Sequence, residues 1–363
     1  MRLIVAGGGT GGHLFPGIAV ASEVLSRIPG SQVLFIGTPR LLDQQALVGR
    51  GFELATLQCG GVKGLSAGAR IRSLLMMPGA IAEARRMIRR FKPDLVLGVG
   101  GYVTGPVVLA AKLSGVPIAI HEQNSVPGMA NRLAGKLADK VLISLPCRPA
   151  FPIRKTVHTG NPLRKEILEA ALQPRQKGES PTVLVLGGSQ GAHRINMLML
   201  EAVEHLSMDG VPVHLIHQTG TVDEERVANC YNQLGVTAEV TAFIRNMAAV
   251  YTRADLVVSR AGATTLAELA VMGLPALLIP YPYAADDHQV TNGEYYAKAN
   301  GCRILRESGL TGEILASVIS EHLQNRDELH TMAANMKTMA IPDATERIVK
   351  ECIRLTASRG RKD

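Results

Sequence analysis

Two glycine-rich loops lie about half a chain apart, and each ends on a histidine. Gly7-Gly8-Gly9-Thr10-Gly11-Gly12-His13 follows the apolar run Leu3-Ile4-Val5-Ala6, and Gly187-Gly188-Ser189-Gln190-Gly191-Ala192-His193 follows Val183-Leu184-Val185-Leu186. A strand that turns through glycines into a helix brings backbone N–H groups and the positive end of the helix dipole close to an anion. One such loop suits a nucleotide or phosphate. Two suit a chain with two phosphate-handling lobes and two phosphorylated substrates. His13 sits at a helix start beside such a loop, where the neutral imidazole needed by a general base is favoured.

A second set of polar residues follows other apolar runs. Asp255 to Ser259 leads through Arg260-Ala261-Gly262 into Ala263-Thr264-Thr265-Leu266-Ala267-Glu268. That pattern is a strand, a glycine turn and a helix start able to hold a diphosphate, with Glu268 one turn on, placed to accept from ribose hydroxyls. Pro275 to Pro280 leads to Asp286-Asp287-His288-Gln289-Val290-Thr291-Asn292, a cluster suited to sugar hydroxyls. Asp286, Asp287 and His288 could alternatively hold a metal, but adjacent ligands point in different directions. In the first half, Gly98-Val99-Gly100-Gly101-Tyr102 and His121-Glu122-Gln123-Asn124 follow predicted strands, whose ends line the crevice of an open parallel sheet. Glu122 is the second candidate base.

Several classes are disfavoured. Gly7-x-Gly9-x-x-Gly12 has dinucleotide spacing, but the second strand ends Ile36-Gly37-Thr38-Pro39-Arg40, without the acid that holds a ribose. The GxxxxGK[ST] pattern of a P-loop is absent, and so is any D-x-D that would hold a metal on a nucleotide diphosphate. Leaving-group charge then falls to N–H groups, hydroxyls and arginines, with Arg164 and Arg260 as candidates.

The elements that must position these residues follow from the alternation of apolar runs with helical patterns, which predicts an α/β chain with parallel sheets and helical crossovers. Strands are predicted at 2–6, 32–37, 53–58, 94–98, 117–121 and 140–144, and helices at 15–28, 80–91, 104–114 and 127–137. Prolines at 146, 149, 152 and 162 mark 146–162 as an interdomain connector. The pattern then restarts, with strands at 182–186, 212–217, 238–241, 255–259, 275–279 and 302–305 and helices between them. The expected lobes are 1–162 plus 341–363, and 163–340. The first carries a net charge of +14 and the second −6, which is why the basic helix at 343–357 is expected to pack back on the first. Aromatics are only 4% of the chain and no nucleic-acid recognition motif appears, which argues against a nucleic-acid partner. The basic lobe suits an anionic membrane instead. Residues 70–92 place Leu74, Leu75, Met76, Met77 and Ile81 beside Arg85, Arg86, Arg89 and Arg90, which share one helical face. The five cysteines are scattered and read as reduced thiols of a cytosolic protein. The start at Met-Arg and a strand fits no signal peptide, and no apolar run spans a bilayer.

Taken together, GGGTGGHLFPG at 7–17, GGYVTGP at 100–106, HEQNSVPGMANR at 121–132, TGNPLR at 159–164, GGSQGAHRIN at 187–196, SRAGATTLAEL at 259–269 and DDHQVTN at 286–292 resemble the MurG family of peptidoglycan N-acetylglucosaminyltransferases, in glycosyltransferase family 28. The resemblance covers nearly the whole chain. It implies a GT-B fold of two Rossmann-like lobes facing across a cleft, and inverting transfer of GlcNAc from UDP-GlcNAc to the C4 hydroxyl of MurNAc in lipid I, giving lipid II. No cofactor or metal is implied. Position by position, it implies UDP-GlcNAc contacts from Thr10, Gly11, Gly12, Asn124, Arg164, Ser189, Ile244, Ala263, Thr264, Thr265, Leu266, Ala267, Glu268 and Gln289. For the lipid I side it points to Gly8, Gly9, Gly100, Gly101, Tyr102 and His121, with His13 and Glu122 as catalytic candidates. It also implies a peripheral place on the cytoplasmic face of the bacterial membrane, with cell-wall synthesis and division proteins as neighbours.

Overall fold

The computed structural model describes residues 1–9, 11–39, 47, 50–59, 67–176, 178–188 and 191–357. The chain forms two compact units, Met1–Arg164 with Asp343–Asp363, and Lys165–Pro342. The crossings fall two residues beyond those expected from the sequence, which places Arg164 in the first unit.

The first unit is built on seven parallel strands: β1 (Arg2–Gly7), β2 (Gln32–Gly37), β3 (Glu53–Thr56), β4 (Leu95–Gly100), β5 (Ile118–Glu122), β6 (Lys140–Ile143) and β7 (Thr156–His158), in the order β3-β2-β1-β4-β5-β6-β7. Among its helices are α1 (Gly11–Arg27), α2 (Ala67–Phe91), α3 (Thr104–Leu113) and α4 (Met129–Leu137). The strands are apolar on both faces because helices cover both. Leu3, Val5, Phe35 and Leu97 pack on Leu14, Ile18 and Val24 of α1. Ile4, Ile36, Val96 and Ile120 face Ala84 and Ile88 of α2 and Val107 of α3. Each fully buried Leu, Ile, Val or Phe among them contributes about 1.5–3 kcal/mol.

The second unit repeats the plan with β8 (Thr182–Leu186), β9 (His214–Gln218), β10 (Ala238–Thr241), β11 (Leu256–Ser259), β12 (Ala276–Leu278) and β13 (Cys302–Ile304), all parallel, in the order β10-β9-β8-β11-β12-β13. Its helices are α5 (Lys165–Ala170), α6 (His193–Met208), α7 (Glu224–Gln233), α8 (Met247–Arg253), α9 (Ala263–Met272), α10 (His288–Ala297), α11 (Gly312–Gln324) and α12 (Arg326–Thr338). The last helix, α13 (Ala344–Ala357), returns to the first unit. There Ile348, Val349 and Cys352 join the core beside α1, and Arg27 meets Glu346 at 3.0 Å. In each sheet the strand order reverses beside the first strand, between β1 and β4 and between β8 and β11. Ligands of open α/β sheets bind at the carboxyl ends there.

Two expectations change. The segment expected as a connector contributes β7, a three-residue edge strand that pairs Val141↔Thr156 to Ile143↔His158. Three residues are too few to show a period among prolines. The helix expected at 80–91 extends back to Ala67 and runs through Pro78. Pro78 removes one N–H without ending the helix, because Ala80, Ala84, Ile88 and Phe91 bury a continuous stripe that holds it.

Candidate active site

At the switch point of the first sheet, two glycine turns press on each other. Gly8 and Gly9, after β1, have φ of 145° and 90°, and Gly100 and Gly101, at the end of β4, have φ of 102° and 81°. A Cβ on Gly101 would come within 2.4 Å of the Gly8 carbonyl oxygen, and one on Gly100 within 2.7 Å of His13 Nδ1. Only glycine fits at these two positions, so the backbone itself forms the floor on which the His13 imidazole lies. Thr104 ties the floor together: its hydroxyl accepts from Gly100 N (3.0 Å) and lies within donating distance of the Ala6 (3.0 Å) and Gly100 (2.8 Å) carbonyls.

Behind His13 runs a buried polar chain. His13 Nδ1 is 3.0 Å from Gln123 Oε1, and Gln123 Nε2 is 2.9 Å from the Val99 carbonyl and 3.1 Å from His121 Nδ1. His121 Nε2 is 3.1 Å from the Gly160 carbonyl and 3.3 Å from Ser144 Oγ, which donates to Asn161 Oδ1 (3.2 Å). Burial pushes the His121 pKa down to about 4, so the ring is neutral near pH 7. Glu122, 1% exposed, turns the other way. Its Oε1 accepts from Asn124 N (2.9 Å) and Nδ2 (3.3 Å), and its Oε2 from Gly128 N (3.1 Å) and Asn131 Nδ2 (3.0 Å). Four donors use the acceptor capacity of a carboxylate. Glu122 is therefore the brace of the 123–131 segment, and the geometry does not support it as an alternative base.

In the second unit the carboxyl ends of β8, β9 and β11 meet. Gly191 (φ 78°) passes so close to the Thr219 carbonyl that a Cβ would lie 2.1 Å from it. Gln218, at the end of β9, donates through Nε2 to the Gly188 carbonyl (2.7 Å) and accepts through Oε1 from Ile244 N (2.9 Å). One side chain thereby fixes the glycine loop to the segment that carries Ile244. Asn196 donates to the Thr219 carbonyl (2.8 Å) and Asp223 Oδ2 (2.7 Å), and its Oδ1 is 3.1 Å from the ring of His217, whose pKa burial lowers to about 3. The first turn of α9 begins at Gly262 with no side-chain cap. A helix start of this kind, at the end of a parallel strand, suits an anion. Ser259 Oγ, buried at the end of β11, has no partner among the described residues. One turn into α9, Glu268 is 5% exposed and its Oε2 accepts from Tyr251 OH at 2.9 Å. Before α10, Asp286 and Asp287 both adopt left-handed backbone (φ 57° and 52°), and Gln289 Oε1 accepts from Tyr281 N (2.9 Å). Such strain in non-glycine residues concentrates at functional sites. Among the described residues no group of three or more His, Cys, Asp or Glu side chains is placed to hold a metal.

Residues 3–143 match the glycosyltransferase family 28 N-terminal domain, and residues 182–348 match the family 28 C-terminal domain. The chain is 46% identical, over 98% of its length and 96% of the relative's, to the UDP-N-acetylglucosamine–N-acetylmuramyl-(pentapeptide) pyrophosphoryl-undecaprenol N-acetylglucosamine transferase of Desulfotalea psychrophila. The identity is 47%, over 97% of each chain, to the enzyme of the same name from Geotalea daltonii. The chain belongs to the MurG branch of glycosyltransferase family 28. The crystal structure of Acinetobacter baumannii MurG superposes with a TM-score of 0.76 at 33% identity, covering 96% of this chain and 98% of that one. Both parallel-sheet units are thus those of a GT-B transferase.

Against that family frame, the residues expected from the sequence divide as follows. His13, Gly8, Gly9, Gly100, Gly101, His121, Gly11, Gly12 and Asn124 gather at the carboxyl end of the first sheet, with Tyr102 half exposed beside them. Ile244, Ala263, Thr264, Thr265, Ala267, Glu268 and Gln289 gather at that of the second. The Leu266 side chain is fully buried in the core, so only its backbone can reach a ligand. Thr10 and Ser189 lie outside the described residues. Arg164 stands over the Phe15 ring of α1, 5.1 Å from its centroid. Arg260 is committed elsewhere: its Nη1 donates to the Ile279 and Pro280 carbonyls and to Glu307 Oε2 at 2.6 Å, so its charge is already met by a carboxylate. Sequence reasoning missed Gln218, Tyr251, Thr104 and Asn131 as supports. Gln218 and Thr104 carry the faint signal of a polar residue at the edge of an apolar run, and Tyr251 carries none.

Proposed function

We propose that this chain transfers GlcNAc from UDP-GlcNAc to the C4 hydroxyl of MurNAc in lipid I, with inversion at the anomeric carbon, giving lipid II and UDP. The observation that carries the reading is the seat of His13 on the junction of two glycine turns, in a chain 46% identical to a named transferase over 98% of its length. The glycine turns at Gly8-Gly9 and Gly100-Gly101 let the backbone approach the lipid diphosphate closely. His13 takes the proton from the attacking hydroxyl. In the second unit the first turn of α9, with Thr264 and Thr265, receives the donor diphosphate, and Glu268, held by Tyr251, accepts from the ribose hydroxyls. Gln289 and the strained Asp286-Asp287 turn read the sugar hydroxyls. As the C1–O bond to UDP breaks, negative charge grows on the diphosphate. N–H groups and hydroxyls fixed in advance meet that charge without reorganising.

The acceptor is lipid-linked, and α2 supplies a surface for its membrane. Pro78, Ile81, Ala82, Arg85, Arg86, Arg89 and Leu113 line a shallow groove of about 550 Å³, beside the exposed Leu75 and Met76. Apolar side chains next to arginines suit an anionic lipid surface, on the cytoplasmic face where UDP-sugars are found. Among the described residues no helix is long and apolar enough to cross a membrane. The test incubates the chain with labelled UDP-GlcNAc and a lipid I analogue in the presence of a chelator. Lipid-linked disaccharide plus UDP supports the reading. Donor binding without lipid product, even after metal is restored, removes lipid I as the acceptor.

A further inference from the structure

The buried chain behind His13 contains two fixed points. The Val99 and Gly160 carbonyls are backbone acceptors and cannot donate. Val99 is the extra residue of a bulge: β1 pairs Ala6↔Gly98 and then Gly7↔Gly100. Bulges of this kind re-aim groups beside active sites. Here the Val99 carbonyl lies 2.9 Å from Gln123 Nε2.

From these two carbonyls every proton in the chain is determined. At 3.1 Å from the Gly160 carbonyl, His121 Nε2 must carry the hydrogen. The ring is neutral, since burial drives its pKa to about 4, so His121 Nδ1 is a bare acceptor. Gln123 then needs its amide NH2 toward both the Val99 carbonyl and His121 Nδ1 (3.1 Å), which turns Oε1 to His13 Nδ1 at 3.0 Å. Rotating the Gln123 amide by half a turn would set oxygen against the Val99 carbonyl and against the bare nitrogen of His121. Two acceptor pairs would face each other in a site where Gln123 is 2% and His121 0% exposed. His13 consequently carries its hydrogen on Nδ1.

We infer that Gln123, oriented by the Val99 and Gly160 carbonyls through His121, is the positioning residue that holds His13 in the Nδ1–H tautomer and leaves the Nε2 lone pair to receive the acceptor proton. The inference rests on the proposed role of His13 as base. Gln123 and His121 are both buried, so they act through the His13 ring. When His13 Nε2 takes the proton, the resulting imidazolium keeps its Nδ1–H bond to Gln123 Oε1, so the transfer needs no side-chain rearrangement. The same device explains why four consecutive polar residues, His121 to Asn124, end one strand. Glu122 braces the loop, in part through Asn124, and His121 and Gln123 relay backbone polarity to the His13 ring.

The test is a two-bond ¹H–¹⁵N correlation spectrum of the full chain labelled at histidine, with His13 assigned by its loss in His13→Ala. In the wild type the neutral form of His13 is expected to carry its hydrogen on Nδ1. Gln123→Met, of similar length but with no amide, is expected to shift the population toward Nε2–H. It should also lower kcat on the order of 10²-fold, the lower range for a general base, with KM for UDP-GlcNAc unchanged. Neutral His13 carrying its hydrogen on Nε2 in the wild type overturns the inference, and this measurement requires no variant to fold. Wild-type kcat in a folded Gln123→Met variant overturns it as well. The underlying reading fails separately: near-normal turnover in His13→Ala removes the base itself, whatever tautomer the spectrum shows.

Discussion

Replacing Glu122 by glutamine separates a brace from a base. The carboxylate accepts two N–H donors on each oxygen, from Asn124 on one side and from Gly128 and Asn131 on the other. A glutamine amide presents one oxygen and one NH2, and both sides of the pocket hold only donors. Whichever way it turns, two N–H groups lose their acceptor and face another donor. Hydrogen bonds to a charged group contribute about 1.5–3 kcal/mol each, and a stranded buried donor costs about 1–3 kcal/mol. The loss for Glu122→Gln is therefore about 3–6 kcal/mol of first-unit stability. For a unit of this size that lowers the melting midpoint by roughly 6–24 °C. The assay pairs thermal unfolding with GlcNAc transfer measured well below the variant's midpoint, across pH. The expected outcome is a large fall in midpoint with an unchanged shape of the pH–rate profile. An unchanged midpoint together with abolished turnover would refute the bracing argument and return Glu122 to the chemistry.

Other consequences follow from the same geometry. Gly100→Ala puts a Cβ 2.7 Å from His13 Nδ1 at a φ of 102°; kcat should fall at least tenfold, and wild-type kcat would contradict the floor described for the imidazole. Tyr251→Phe removes one donor from the Glu268 carboxylate and should raise KM for UDP-GlcNAc a few-fold with kcat nearly constant, whereas Glu268→Ala should raise it far more; equal effects would mean that Tyr251 does more than hold Glu268. Stability should also depend on pH through His121. Its pKa is about 4 in the fold against 6.5 for the free side chain, so below 6.5 the unfolded chain takes up a proton that the folded chain refuses. Stability is then constant above about pH 6.5 and declines by roughly 3 kcal/mol as pH falls toward 4. His217, at about 3, adds a similar decline in the second unit that continues lower. Urea midpoints between about pH 7 and pH 4.5 check this, and a flat profile would contradict a neutral, buried His121.

Most strands were legible because a buried parallel strand is an uninterrupted apolar run, often followed by a glycine or polar cluster. Those clusters are the strand ends where ligands bind, which is why His13, Gly100 and Glu268 stood out from the sequence. What stayed hidden depends on direction rather than type. Nothing in His-Glu-Gln-Asn says that Glu122 turns into its own loop while Gln123 turns toward His13. No local pattern pairs Arg260 with Glu307, which is distant in sequence and 2.6 Å away in the fold. Gln218 is one polar residue at the end of an apolar strand, and its bridge between Gly188 and Ile244 exists only once β8, β9 and β10 are side by side. The three-residue β7 and the passage of α2 through Pro78 fail local rules, because tertiary burial outweighs propensity there.

The most direct test of the account is the single-turnover rate of GlcNAc transfer to a lipid I analogue by the wild type and by His13→Ala, with UDP affinity measured on the same preparations. The account predicts lipid-linked disaccharide of inverted anomeric configuration from the wild type, and a rate lower by a factor on the order of 10²–10⁴ in the variant with UDP affinity retained. Transfer by His13→Ala at the wild-type rate would contradict it.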